Sequence, residues 1–261
     1  MTSFMALNQP IRDWRGKRVW IVGASTGIGA ALAEALFAKG AHLALSARRA
    51  ERLNAFAARF PGSISIPLDV AEPNKLLPAV LQLLDLWGGI DVVVFNAGTY
   101  TPMRAWDLTV EGARTTFEIN LMGVINGVAA VAPQLLQQGE GAIVIVGSVA
   151  GYRGLPKALA YGASKAAVIN FAESLYMDLA PRGVSVFLVN PGFVRTPLTA
   201  GNKFHMPALI SAPEAAREIL KGLARGRFEI HFPRRFTLML KFMRVLPGSL
   251  YLRAVRRATG A

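Results

Sequence analysis

Cysteine is absent from the 261 residues, which excludes disulfides, cysteine nucleophiles and thiolate metal sites and fits a reducing compartment. Histidine is scarce, with 3 widely spaced residues, and this speaks against a metal centre. No uninterrupted apolar run reaches the ~18 residues of a spanning helix, and no apolar stretch follows a basic start between Met1 and Lys17. The expectation is therefore a chain without a signal peptide, soluble or lying on a membrane surface. Acidic residues are also few: 16 Asp and Glu stand against 29 Lys and Arg, a formal net charge of +13. None follows Glu229, whereas Arg234, Arg235, Lys241, Arg244, Arg253, Arg256 and Arg257 do. Such a balance admits nucleic acid, anionic lipid or acidic ligands, and the total alone does not choose among them.

What is present is a hydrophobic fraction of 52%, enough for a sizeable core in one large α/β domain. Arg18 to Val22 reads as a buried strand leading into Gly23-Ala-Ser-Thr-Gly-Ile-Gly29 and an alanine-rich helix from Ala30 to Lys39. Strand, glycine turn and helix in this order let backbone N–H groups approach a phosphate at a helix N-terminus, although an ordinary βα turn has the same look. Further strands are expected at His42–Ser46, Ser63–Leu68, Ile90–Phe95, Ala142–Val146, Val184–Val189 and Phe228–Phe232. Long helices are expected from about Trp106 to Gln138 and around residues 158–180. The alternation predicts a doubly wound, mainly parallel sheet of Rossmann type in a domain spanning 1–232, with a C-terminal extension from 233 to 261.

At the end of the second strand stand Ala47, Arg48 and Arg49, where a dinucleotide fold meets the adenosine ribose. An acidic residue there would hold a 2′-hydroxyl, and an arginine accommodates a 2′-phosphate, so NADP(H) is preferred over NAD(H). Asp69 ends the third strand, poised either to meet adenine or to cap the next helix. Tyr161 and Lys165 lie one helical turn apart and so share a face. A cation there should lower the tyrosine pKa and make Tyr161 a general acid or base. Ser148 follows the fifth strand, outside the carboxyl ends where ligands of open α/β sheets bind. Asn120 sits in mid-helix, where its amide needs a partner.

Taken together, Gly23/Gly27/Gly29, Asn96-Ala-Gly98, Asn120, Ser148, Tyr161/Lys165 and Pro191-Gly192 resemble the short-chain dehydrogenase/reductase family over residues 15 to 232. The resemblance implies oxidoreductase chemistry on a carbonyl or alcohol, with Asn120, Ser148, Tyr161 and Lys165 catalytic. Tyr161 would donate a proton, Ser148 would hydrogen-bond the substrate oxygen, Lys165 would bind the nicotinamide ribose, and Asn120 would hold a proton-relaying water. It further implies a cofactor site made by Gly23, Ser25, Thr26, Gly27, Ile28, Gly29, Arg48, Asp69, Val70, Asn96, Ala97, Gly98, Tyr161, Lys165, Pro191, Gly192, Val194 and Thr196. A substrate lid would span Pro197 to Pro213, with Phe204, His205 and Met206, and its apolar character suggests a hydrophobic, lipid-like ketone or alcohol. Family habit implies a homodimer or homotetramer, contacting through the two long helices.

The extension departs from the family pattern. On a helical wheel Arg234, Lys241 and Arg244 fall on one side, with Phe236, Leu238, Met239, Leu240, Phe242, Met243 and Leu246 over the remainder. A second basic piece, Leu250 to Arg257, follows Pro247-Gly248. Residues 234–257 thus offer a peripheral contact with an anionic membrane, or an apolar face that covers the substrate pocket or a partner subunit. The expected location is cytoplasmic, with a peripheral place on the inner face of a membrane. The competing function is a non-catalytic dinucleotide-binding regulator recruited by this tail. Nucleic acid is not expected, because the tail's aromatics are set in an aliphatic face rather than a stacking platform.

Overall fold

A computed structural model describes residues 6–202 and 206–260. Its sheet contains seven strands in the order β3-β2-β1-β4-β5-β6-β9, all parallel. These are β1 (Arg18–Val22), β2 (His42–Ser46), β3 (Ile64–Ser65), β4 (Val92–Phe95), β5 (Gly141–Val146), β6 (Val184–Pro191) and β9 (Glu229–Phe232). A short parallel pair, β7 (Val194–Arg195) and β8 (Ile210–Ser211), stands apart. The third strand is shorter than expected as a ladder, yet the N–H groups of Ile66 and Leu68 still reach the carbonyls of Leu45 and Ala47.

Each central strand is apolar on both faces because both are covered. Val19 and Ile21 join one core with Leu32 and Leu36 of α1 (Gly27–Phe37), Leu53 of α2 (Ala50–Ala57) and Ile219 of α7 (Ala212–Leu223). Trp20 and Val22 point the other way. There they meet Leu76 of α3 (Pro73–Trp87), Val128 of α5 (Gly123–Gln138) and Val168 of α6 (Leu159–Leu179). The period of two in side-chain direction thus turns one apolar run into two half-cores.

Two helix boundaries differ from expectation. The first helix begins at Gly27, inside the glycine segment, rather than at Ala30. The long helix begins at Val110: Trp106 lies in a separate 3₁₀ turn, and Thr109 accepts from the N–H of Gly112, so the cap fixes the start. From there α4 (Val110–Phe117) runs through one π turn, Glu118–Met122, into α5. By length and composition Val110–Gln138 could cross a membrane, but it packs against α3 and α6.

The extension folds as α8 (Arg234–Arg244) and α9 (Gly248–Thr259). Phe236 and Leu240 pack on the core, and Thr237 is fully buried. The side of the wheel that carries Lys241 meets the core, where Lys241 pairs with Glu229, while Arg234 and Arg244 at its two ends stay exposed. The apolar set is likewise split, with Leu238, Met239 and Phe242 facing outward.

Candidate active site

The carboxyl ends of β1, β4, β5 and β6 open onto one groove of about 250 Å³. Its walls include Gly23, Ser25, Thr26, Gly27 and Ile28 after β1, Arg48 and Arg49 after β2, and Asp69 and Val70 after β3. Asn96, Ala97 and Gly98 follow β4, Ser148 follows β5, and Pro191, Gly192, Val194 and Thr196 close the far side with Tyr161 and Lys165. Of the residues expected to hold a cofactor, Gly29 alone stands behind this surface rather than on it.

The glycine turn leaves room for a ligand by removing side chains. A Cβ at Gly29 would lie 2.1 Å from the Gly23 carbonyl oxygen, and one at Gly23, whose φ is +93°, would lie 2.5 Å from the Ala97 nitrogen. Only glycine permits this close packing of turn, helix and β4. Asn96 Nδ2 donates to the Gly23 carbonyl at 2.7 Å and fixes the turn from below. Thr26, the N-cap of α1, makes no side-chain capping bond, so the first N–H groups of α1 remain directed at the groove. Free N–H groups, a stripped backbone and the positive end of the helix dipole suit a diphosphate, so the residues present fit a dinucleotide. At the other end Ala47 leaves no carboxylate to meet a ribose hydroxyl, and the guanidinium groups of Arg48 and Arg49 are exposed beside it. Asp69 accepts from the Ala71 N–H at 3.0 Å, a turn bond that serves the approach to α3.

Ser148 and Tyr161 come together at the opposite end. The Ser148 side chain caps the 3₁₀ turn Val149–Gly151 by accepting from the Ala150 N–H at 3.1 Å, which fixes its rotamer. Burial raises the Tyr161 pKa, while a hydrogen bond from Ser148 opposes the rise. The expected depression by Lys165 is therefore not seen: the phenol is held in its neutral form. Lys165 is only 4% exposed and donates to the Val146 carbonyl at 2.8 Å, and burial pushes its own pKa down to about 8. One of its N–H groups is held by the carbonyl of Val146 in the groove wall, and the phenol gains little from its charge.

Asn120 lies in the π turn and is fully buried, outside the groove wall. Its Oδ1 accepts from the Thr99 N–H at 2.8 Å, and its Nδ2 donates to the Thr99 carbonyl and to Ser164 Oγ. Ser164 in turn donates to the Tyr161 carbonyl at 2.8 Å. Asn120 is thus a tie between the loop after β4 and the helix that carries Tyr161. The π turn is what swings it inward, a bulge of the kind often found at functional sites.

Several residues escaped sequence reasoning. Tyr100 packs edge-on against Tyr161 with ring centroids 4.9 Å apart. Ile119 and Gly147 also line the groove, as do Pro197, Leu198 and Thr199 from the start of the expected lid. Thr199 had a local signal, a hydroxyl three residues after Thr196: it donates to the Val194 carbonyl and accepts from the Thr196 N–H, closing a turn. Of the lid, Phe204 and His205 lie outside the described residues, and Met206 accepts a weak bond from Asn202.

Comparison with known proteins agrees with this arrangement. A family profile described as short chain dehydrogenase matches residues 17–206. An uncharacterized oxidoreductase of Myxococcus xanthus is 37% identical over 241 residues, 91% of this chain and 95% of the relative. Among solved structures, a short chain dehydrogenase from Burkholderia cenocepacia in complex with NADP has a TM-score of 0.83 at 27% identity, covering 93% of this chain and 98% of that one. One from Burkholderia phymatum in complex with NAD has a TM-score of 0.80 at 25% identity, covering 88% and 94%. One from Sphingobium yanoikuyae in complex with NADPH has a TM-score of 0.77 at 31% identity, covering 89% and 97%. The glycine cradle, the seven-stranded order and the match over most of the chain lead to one conclusion: this protein belongs to the short-chain dehydrogenase family and is an oxidoreductase of it.

Proposed function

We propose that the protein reduces an apolar, lipid-like ketone to an alcohol with NADPH. The observation that carries the reading is the pairing of the Ser148 hydroxyl with a Tyr161 phenol kept neutral by burial, at the opposite end of the groove from Arg48 and Arg49. When bound, the dinucleotide supplies a hydride. As a carbonyl carbon accepts it, the oxygen gains negative charge, and a positioned acid must neutralise that charge. Tyr161 gives its proton to this oxygen, and Ser148 donates a hydrogen bond that orients it. Lys165 reaches the ribose end of the ligand, and Asn120 holds the Tyr161 helix and the loop after β4 in register. This role for Asn120 needs no bound water.

Exposed guanidinium groups beside Ala47 support NADPH over NADH, since a 2′-phosphate would be met by Arg48 and no carboxylate would repel it. Pro197 and Leu198 at the groove edge support an apolar substrate. Exposed Val110, Leu136, Leu159 and Met177 on the long helices support self-association through that side. The reading is tested by NADPH oxidation with ketones and 3-ketoacyl compounds of graded chain length. Turnover that rises with chain length and disappears in Tyr161→Phe is the expected result; equal turnover in the variant overturns the assignment of the acid.

A further inference from the structure

The extension is built into the molecule on its inner side. Glu229 Oε1 accepts from Tyr152 and from Asn190 Nδ2, and its Oε2 pairs with Lys241 of α8. Arg153 Nη1 donates to the carbonyls of Met243, Arg244 and Leu246 at the C-terminus of α8, and its guanidinium lies 4.1 Å from the Tyr251 ring centroid. Tyr251 then donates to the Gly154 carbonyl at 2.8 Å. The Phe236 ring of α8 lies 5.8 Å from the Phe193 ring, just after β6. With its inner face anchored in this way, the orientation of α8 is set by the core.

The outer face is the unusual one. Leu238 is 48% exposed, Met239 49%, Phe242 68% and Val245 76%, and their spacing of three and four residues places them in one stripe. Arg234 and Arg235 stand exposed at its first turn. On α9, Leu250 and Leu252 are exposed, as are Arg253 and Arg257. The chain holds no acidic residue beyond Glu229. An apolar stripe that points away from the core between arginines has the make-up of an interfacial helix.

We propose that α8 and α9 dock the protein on an anionic lipid bilayer, with Leu238, Met239, Phe242 and Val245 entering the interface and the arginines meeting lipid phosphates. Charge selects this occupant. A second copy meeting the same face about a two-fold axis would set arginines against arginines. A nucleic acid would satisfy the arginines but leave the stripe in water, whereas an anionic bilayer satisfies both. Docking stands apart from the substrate reading, because it is measured without turnover.

The test is sedimentation of the full chain with phosphatidylglycerol/phosphatidylcholine vesicles and with pure phosphatidylcholine vesicles. Binding to the anionic vesicles is expected, weakening with salt, and falling at least about tenfold in Phe242→Ser/Val245→Ser. Arg253→Gln/Arg257→Gln should lower it severalfold, and both double variants should keep the wild-type thermal midpoint because the changed side chains are exposed. In Phe242→Trp, emission should shift to the blue on adding anionic vesicles. Absence of vesicle binding overturns the proposal, as does binding that ignores the apolar substitutions. Concentration-dependent self-association abolished by Phe242→Ser/Val245→Ser would give the face to a second copy, and nucleic-acid binding sensitive only to the arginines would give it to that partner.

Discussion

Tyr161 and Lys165 show how burial redirects a pair that looks simple in sequence. Spacing on one helix face was legible, and so was the chemistry that the two residue types suggest. The pKa direction was not, because it depends on desolvation and on the Val146 carbonyl, which comes from another element. Tyr161→Phe should lower kcat by about 10²–10⁴ while NADPH affinity, read by fluorescence titration, stays near wild type. Lys165 makes a separate prediction about stability. Its folded pKa of about 8 lies below the 10.5 of the unfolded chain. Between those values the unfolded state binds more protons, so stability rises with pH through that window and the burial penalty is full below it. Denaturant melts at pH 7 and pH 10 should show wild type gaining on Lys165→Met by an amount on the order of 3 kcal/mol.

At the level of elements, the glycine turn was readable because its function is to lack side chains, a property visible in sequence. Gly29→Ala would push a Cβ into the Gly23 carbonyl and Asn96 Nδ2, so the turn must shift and lift the first N–H groups of α1 off the ligand. A loss of dinucleotide affinity of at least about tenfold is expected, together with a lowered thermal midpoint. At the end of β2, Arg48→Glu should exchange the preference between NADPH and NADH, measured as the ratio of kcat/KM for the two. In sequence Asn120 stands out as a mid-helix amide in want of a partner, but the π turn that buries it and supplies its partners leaves no mark in residue pattern. The helix start at Val110 was missed for a related reason: Trp106 continues an amphipathic pattern, and only the Thr109 cap breaks it.

Across the whole molecule, the strand sequence and class of fold followed from alternating apolar runs, while the path of the extension did not. A wheel assigns faces relative to one another and cannot tell which one meets the core. The choice here turns on Glu229, which meets Lys241, and on Arg153 and Gly154, which come from a remote part of the chain to hold α8 and Tyr251. Burial alone would raise the Glu229 pKa, but hydrogen bonds from Lys241, Tyr152 and Asn190 outweigh it and hold it below the usual 4.5. The stabilisation is therefore present above about pH 4.5 and is lost as pH falls through the lower folded value. Glu229→Gln should destabilise by about 2 kcal/mol and speed amide exchange in α8 ahead of the sheet.

The Arg153 clamp also sets a timetable for synthesis. The carbonyls and ring that hold this arginine, from Met243 to Tyr251, are made 90 to 98 residues after it. On the ribosome the turn that carries Arg153 must therefore do without this clamp while β6, α7 and β9 are still being translated. A newborn chain can close its sheet yet leave Arg153 and Gly154 without their brace until α8 and α9 have emerged.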